Sequence, residues 1–457
     1  MSDGLSRRAF LRALGASGAT AGLVSAGAMA DPPSPARPAR SKGMVPISGP
    51  APHAARLSGG KVIQPQRELG VLTETDVLVV GGGPAGVAAA VAASRTGAKV
   101  ALVERYGHFG GLWTGGLVLL VLAMHAKGEK GRVLVTRGIG KEMIDRLAKM
   151  DRGVINWRDG VDPTVDAEAL KYLMVEMVLE AKVETFLHCW GVDAIVEGST
   201  VRGAVLESKS GRQAVLAKVV IDATGDGDIF AAAGCEHIHK TDHHIGLVCR
   251  IGNVDKVDHA KAKAAGVKRP RWLGSATPIA GVNWVNMHGP GADGLSVKDL
   301  SRLELAHRRQ IWKNVQAIRK TPGYEKVYLL ETAPQMGVRI TRLMGGRATL
   351  HYKDIQARTK FPDAIAVGGS SGGKMPGWQI RYGTLVSRNV ENILAAGRCI
   401  STEQRMLYNM RLIPTCLVTG HAAGVAAALA VKARCGVRSV EIPALRKELT
   451  RQGAYLG

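Results

Sequence analysis

Short apolar runs bounded by glycine organise the early part of the chain. Asp76 to Val80 reads as a strand covered on both faces, because such runs end where the chain must turn. Val87 to Thr96 is an alanine-rich helix stopped by Gly97, and Lys99 to Val103 is a second apolar strand closed by Glu104. Together they predict a βαβ unit. Val192 to Val196, Val201 to Leu206 and Ala214 to Ile221 alternate apolar and polar positions, with Gly198-Ser199 and Ser210-Gly211 between them, and predict a β-meander. Asp166 to Lys182 is an amphipathic helix: Asp166 can cap it, and Leu170, Leu173, Met174, Met177, Val178 and Ala181 recur at helical spacing. Asn392 to Arg398 is a strand ending in glycine. Thr415 to Lys432 is a Gly- and Ala-rich helix with Pro414 at its start. Leu117 to Met124 is wholly apolar but far short of the ~20 residues of a membrane span, so it reads as a buried strand or helix.

The two ends of the chain lack this patterning. Ser6-Arg7-Arg8-Ala9-Phe10-Leu11 precedes a weakly apolar stretch, Ala13 to Gly27, and a small-x-small site at Ala28-Met29-Ala30. This order resembles a twin-arginine export signal over residues 1–30. It implies cleavage after Ala30, export of the folded protein to the periplasm with its cofactor aboard, and membrane contact only during that export. Residues 31–69 are a proline-rich linker, and residues 436–457 read as a C-terminal tail.

Composition narrows the class. Hydrophobic residues make up 46% of the 457 and charged residues 22%, which excludes a disordered chain. The net charge is +23, yet the basic residues are scattered and not interleaved with aromatics, so a solvated surface is expected and not a nucleic-acid partner. The charge favours anionic substrates. Six cysteines, Cys189, Cys235, Cys249, Cys399, Cys416 and Cys435, are too widely spaced for a local redox pair or a closely spaced iron–sulfur or zinc run. His237, His239, His243 and His244 cluster, but partly exposed histidines are expected there and no metal. Gly368 to Lys374 imitates a phosphate loop but is followed by Met375, without the hydroxyl that would hold magnesium, so it reads as a flexible loop.

The chemistry sits at the first βα turn. Gly81, Gly83 and Gly86 form a G-x-G-x-x-G. The first allows a sharp turn, the second allows backbone to approach a pyrophosphate, and the third allows helix and strand to pack closely. The helix N-terminus then offers unpaired N–H groups to phosphate. Glu104, at the end of the second strand, can accept from both ribose hydroxyls. These features predict a bound dinucleotide.

The meander leads into Asp222-Ala223-Thr224-Gly225-Asp226-Gly227-Asp228. A strand ending in Ala-Thr-Gly is typical of flavoproteins of the glutathione-reductase type. With Glu104-Arg105, Gly110 to Thr114, Gly138-Ile139, Asp166 to Leu173, Gly337 to Arg342, Asn392 to Ser401 and Arg411 to Ala430 in order, the chain resembles the FAD-dependent oxidoreductase family with a glutathione-reductase-like fold, related to the flavin part of HdrA-like proteins. The sequence departs from the family at Ile380-Arg381-Tyr382-Gly383 and at Glu403 to Arg411, where substrate or flavin-ring contacts are expected.

The resemblance implies an α/β protein: a Rossmann-like FAD-binding domain of parallel sheet plus β-meander, from residues 70–235 and 376–435, with an α+β substrate domain inserted at 236–375. It implies FAD as cofactor. Its contacts would come from Gly81, Gly83, Pro84, Ala85, Gly86, Glu104 and Arg105, and from Gly110, Gly111, Leu112 and Thr114. Later contacts would be Trp190, Val192, Ala223, Thr224, Gly225, Asp226, Gly397, Arg398, Pro414 and Thr415. The flavin ring would face the start of the Thr415 helix, which puts Arg411, Tyr408 and His421 forward as catalytic residues. His108 is an ordinary loop histidine in this reading. The implied activity is redox transfer between a small organic, anionic substrate and flavin N5. The rivals are a flavin reductase subunit fed by an electron-carrier protein, and a flavin-binding scaffold or relay without its own substrate.

Overall fold

The computed structural model describes residues 54–150, 154–158 and 160–457. The twin-arginine stretch, the cleavage site and most of the proline-rich segment lie outside the described residues. The chain divides into two units, Met1–Arg67 and Glu68–Gly457. In the first, Arg56–Ser58 pairs antiparallel with Lys61–Ile63. All that follows concerns the second.

Strand β1 runs Gly70–Val80. It starts before Asp76 because Gly70 to Thr75 already pair with the strand at Gln213–Ala217, although Gly70, Val71, Leu72 and Glu74 face solvent. Helix α1 is Pro84–Arg95, and β2 is Val100–Glu104. Every α1 residue from Ala85 to Ala93 is buried. None has a side chain larger than valine, so other backbone can approach closely. Helices α2 (Ile139–Lys149) and α3 (Ala167–Glu180) follow. Asp166 caps α3 as predicted, accepting from Glu168 and Ala169 N–H at 3.1 and 2.9 Å.

Strand β3 is Glu184–Leu187, and the meander is β4 (Trp190–Glu197), β5 (Thr200–Ser208) and β6 (Gly211–Asp222), followed by the short α4 (Asp228–Ala232). The sheet order is β4-β5-β6-β1-β2-β3. The meander pairs are antiparallel and the rest parallel. In register, Asp222 lies opposite Val80, Val80 opposite Val103, and Glu104 opposite Leu187. The carboxyl ends of the parallel strands therefore share one edge, where open α/β sheets take their ligands.

A second, antiparallel layer contains β7 (Val248–Gly252), β8 (Asn283–Asn286) and β9 (Tyr328–Thr332), with Ser275–Ala276 at its margin. Helix α5, Val297–Arg319, contributes Ile311, Val315 and Ile318 to the core beneath it. Leu117 and Leu119 enter that same core, but Leu117 to Met124 is neither strand nor helix. Leu117 and Ala123 hold positive φ angles of 51° and 73°, which regular structure excludes.

Strand β10, Ile393–Ala395, returns parallel to β6, and α6 (Ile413–Ala433) and α7 (Ile442–Arg451) close the chain. Helix α6 is long and apolar enough to cross a membrane, yet 94% of its apolar window is buried within the protein. It crosses α1 through glycines: a Cβ at Gly420 would run into the Ala85 carbonyl, and one at Gly424 into the Ala89 carbonyl.

Two expected boundaries move. Ala364–Gly368 pairs with Trp378–Arg381 across residue 375, and Met344, Leu350, Ile355, Ile365 and Trp378 all belong to the main core. The inserted layer therefore gives way before Met344. Residues 436–457 are not a tail: Val437, Leu445, Leu449 and Leu456 bury into the main core. The Gly368–Lys374 loop is tied down, with Gly372 N–H donating to Asp162 at 2.9 Å.

Candidate active site

A cavity of about 410 Å³ opens where the carboxyl ends of β1, β2 and β6 meet the second layer. Gly81 turns out of β1 with φ 103°, and a Cβ there would collide with the Ala223 carbonyl. Its N–H donates to the Val103 carbonyl at 2.8 Å. Gly82 N–H donates to Glu104 Oε2 at 2.7 Å, and Tyr106 N–H to Glu104 Oε1 at 2.9 Å. The Glu104 carboxylate, only 5% exposed, thus fixes the loop it faces. Gly83 stands at the α1 N-cap without a side-chain cap. It lines the cavity, and a Cβ on it would meet no protein atom within 4 Å. That open space at an uncapped helix N-terminus fits a pyrophosphate.

The Gly110-Gly111 turn leans on this loop: Gly110 N–H donates to the Gly82 carbonyl at 2.8 Å, and a Cβ on Gly111 would stand 3.1 Å from Gly83 Cα. From the other side, Ala223 N–H donates to the Val80 carbonyl at 2.9 Å. Ala223, Thr224 and Gly225 then line the cavity beside Arg398. Arg105 lies over the rings of Tyr106 and Trp190, 4.9 and 5.3 Å from their centroids. Helix α6 also begins at the cavity without a side-chain cap, and Leu412, Ile413 and Cys416 line the wall. Arg398 Nη1 and Arg411 Nε are buried without a hydrogen-bond partner, and both residues face the cavity. Two uncapped helix N-termini and the orphaned nitrogen of Arg398 around one space suit a ligand with phosphates at one end and electron-rich oxygens at the other. The residues present therefore fit FAD.

Of the predicted contacts, Gly81, Gly83, Pro84, Ala85, Glu104, Arg105, Gly111, Leu112, Trp190, Ala223, Thr224, Gly225, Gly397, Arg398 and Arg411 line this one cavity. Others act from behind it. A Cβ on Gly86 would collide with the Gly81 carbonyl. Gly110 packs against Thr114, whose buried hydroxyl donates to the Phe109 carbonyl. Asp226 accepts from Arg398 Nη2 and Thr341 Oγ1, each at 2.7 Å, so it holds an arginine instead of a cofactor. Pro414 and Thr415 are buried in the first turn of α6, with Thr415 Oγ1 donating to the Asn409 carbonyl at 3.0 Å. Val192 is exposed, and the neighbouring Gly191 lines the cavity in its place.

His421 is removed from the catalytic set. It is 2% exposed, pairs with Gln452 Oε1 at 3.1 Å, and abuts Gly138, two turns along α6 from the cavity. Burial pushes its pKa down to about 4. Tyr408 is 62% exposed and serves the cavity only as the ring beneath Arg411, 5.5 Å from Cζ to centroid. The sequence reading missed a whole wall: Val118, Leu120, Leu122, Val248, Trp284, Asn286, His288 and Arg339. These come from four separate segments; the apolar run at Leu117–Met124 and the Gly337 to Arg342 stretch stand out in the sequence, but neither reads as a site.

The six cysteines are free thiols, and burial pushes Cys416, in the cavity wall, up to about 12. His237 contacts the Cys235 carbonyl at 2.8 Å, and His239 pairs with Asp293 at 3.0 Å. Among the described residues no three His, Cys, Asp or Glu side chains converge as a metal site.

Asp228 also faces the cavity, paired with Arg342 at 3.0 Å. Burial, then the charges of Asp222 and Asp226, push its pKa up to about 6. The folded protein therefore holds a proton that the unfolded chain releases. The stability this contributes is full at low pH and is lost as pH rises through about 6. Asp228→Asn is expected to flatten that fall between about pH 4 and 7 in denaturant titrations. An unchanged profile would place the titration elsewhere.

A family model described as FAD dependent oxidoreductase matches residues 76–273 and 257–449. A digeranylgeranylglycerophospholipid reductase of Methanopyrus kandleri is 31% identical over 179 residues, 37% of this chain and 45% of that protein. A thiamine thiazole synthase of Methanococcus vannielii is 30% identical over 166 residues, 34% and 57% of the two chains. The chain thus spans about half the length of these curated relatives. Among solved structures, a geranylgeranyl bacteriochlorophyll reductase-like protein from Thermoplasma acidophilum is 15% identical, with a TM-score of 0.45 and coverage of 83% of both chains. A p-nitrophenol 4-monooxygenase from Pseudomonas putida is 12% identical, with a TM-score of 0.42, covering 83% and 84%.

Proposed function

The chain belongs to the FAD-dependent oxidoreductase family, and from that premise we propose that it exchanges electrons or a hydride between FAD and a small organic anion, after export to the periplasm. FAD, when bound, would supply the redox chemistry. The observation that carries the reading is one cavity holding the nucleotide loop at one end and the orphaned guanidinium of Arg411 at the other. In it, the α1 N-terminus and the Gly81–Gly83 backbone would bind the pyrophosphate, and Glu104 the ribose. Arg398, fixed by Asp226, and the α6 N-terminus would balance negative charge where the ring lies. Val118, Leu120, Leu122 and Trp284 keep the substrate side apolar and limit water.

The test is anaerobic reduction of the FAD-loaded protein by a panel of organic acids and their neutral analogues. Bleaching of the flavin by acids supports the reading. Bleaching only with a reduced carrier protein would replace it with a reductase subunit, and none by any donor would leave a flavin scaffold. Export has its own test: Arg7→Lys with Arg8→Lys should retain the precursor in the cytoplasm, whereas normal secretion of that variant would exclude the twin-arginine route.

Glu104→Gln keeps the shape but only one of two acceptor oxygens and none of the charge. Charge-assisted hydrogen bonds contribute about 1.5–3 kcal/mol, so FAD affinity is expected to fall roughly ten- to a hundredfold. Fluorescence titration of the apoprotein measures this, and unchanged affinity would take the ribose away from Glu104.

A further inference from the structure

One wall of the cavity gathers bases without an acid. Arg339 lies between β9 and the Arg342–Met344 strand, and His288 lies just past β8. Arg339 Nη1 donates to His288 Nδ1 at 3.2 Å, which leaves the rest of that guanidinium for a ligand. Arg411 enters from the turn before α6, its Cζ 5.5 Å from the centroid of Tyr408, whose ring stands edge-on to His243 at 6.4 Å. Arg411 Nε and His243 Nε2 are both buried and unpartnered. Neither Arg339 nor Arg411 has an ion-pair partner among the described residues. Arg398, in the same cavity, is by contrast paired with Asp226.

Such a cluster is costly to fold. Burial, then the charge of Arg339, push Arg411 down to about 10, and burial with the charges of Arg411 and Arg339 pushes His243 down to about 4. At neutral pH Arg411 stays charged and His243 neutral. Like charges held together in a low-dielectric wall repel unless an anion joins them. The same cavity is lined by Leu120, Leu122, Val248 and Trp284, which offer contact to an apolar body.

We propose that Arg339 and Arg411 form a carboxylate clamp, and that the substrates are organic acids with an apolar body. The proposal rests on the redox reading above and adds the substrate class and Arg339. A planar carboxylate can accept paired N–H bonds from a guanidinium, which gives direction as well as charge.

The experiment uses the FAD-loaded protein, with FAD content measured first. Benzoate and benzamide are titrated while flavin absorbance and the thermal unfolding midpoint are followed. Benzoate is expected to shift both in a saturable way, and benzamide neither. Arg339→Gln and Arg411→Gln should each retain FAD and weaken benzoate roughly ten- to a hundredfold, with Arg339→Lys recovering part of the loss. Without ligand, Arg411→Gln should unfold no earlier than the wild type, because it removes an unpaired buried charge. Equal binding of benzoate and benzamide, or binding of neither by a yellow protein, would overturn the clamp while leaving the flavin reading intact. Displacement of benzoate by inorganic phosphate at equal concentration would overturn the choice of carboxylate. Loss of FAD from Arg411→Gln would make Arg411 a flavin contact and likewise overturn the clamp. A wild type that takes up no FAD would overturn the flavin reading itself.

Discussion

Gly83→Val should fold, and fold without FAD. The Gly83 backbone has φ −69°, an ordinary value for any residue, and its Cβ would meet no protein atom within 4 Å. The variant chain should therefore lose no more than about 1 kcal/mol of stability. Its isopropyl group would stand at the uncapped start of α1, in the volume a pyrophosphate needs. Overpacking costs of about 1–3 kcal/mol, together with the lost approach of backbone N–H groups, imply a fall in FAD affinity of roughly a hundredfold or more. Gly86→Ala is the contrasting control. Its Cβ would collide with the Gly81 carbonyl, so it should lose thermal stability and cofactor together. Flavin absorbance and circular dichroism on both variants separate the outcomes, and a fully yellow Gly83→Val would move the phosphates away from this loop.

Asp222→Ala is expected to be the most destabilising polar substitution near the cavity, at about 3–5 kcal/mol. Asp222 is wholly buried at the end of β6. Its Oδ1 accepts from Thr224 N–H and Oγ1 at 3.1 and 2.7 Å, and its Oδ2 from Ile229 and Phe230 N–H at 2.9 Å each. Burial pulls its pKa up, against these four bonds, which favour the carboxylate. Alanine leaves four donors unanswered around the loop that carries Ala223, Thr224 and Gly225, so FAD should be held less tightly as well. Chemical denaturation measures the first effect. A loss below about 1 kcal/mol would mean that the loop is fixed by other contacts.

The sequence shows most of the flavin half of the molecule because its signals are local. The strand at Asp76, the three glycines, the alanine helix and Glu104 lie within thirty residues and announce one another. The meander is legible for the same reason, as its turns fall between short alternating runs. The substrate wall is different. Arg339 and His288 are fifty-one positions apart and meet only because β8 and the segment after β9 end at the same face. Leu117–Met124 is apolar because it lines the second core and the cavity, and its two positive φ angles leave no period to read. His421 looked close to the flavin because it follows Pro414 by seven positions. A helix carries those positions about 10 Å along its axis, away from the cavity and into the interior where the residue meets Gly138 and Gln452. Residues 436–457 looked like a tail because α7 is short and half polar, and it becomes a helix only against the core it covers.

The glycine crossing of α1 and α6 bears on how the cavity can open. Backbone meets backbone at Ala85 with Gly420 and again at Ala89 with Gly424, one turn deeper. Two points of contact fix an angle as well as a distance, and no side chain lies between them to change rotamer and give slack. The starts of the two helices, both in the cavity wall, are thus the ends of a single rigid caliper. Any change in the width of the cavity is therefore expected of its remaining wall, which carries Val248, Trp284, His288 and Arg339, and not of the two helices.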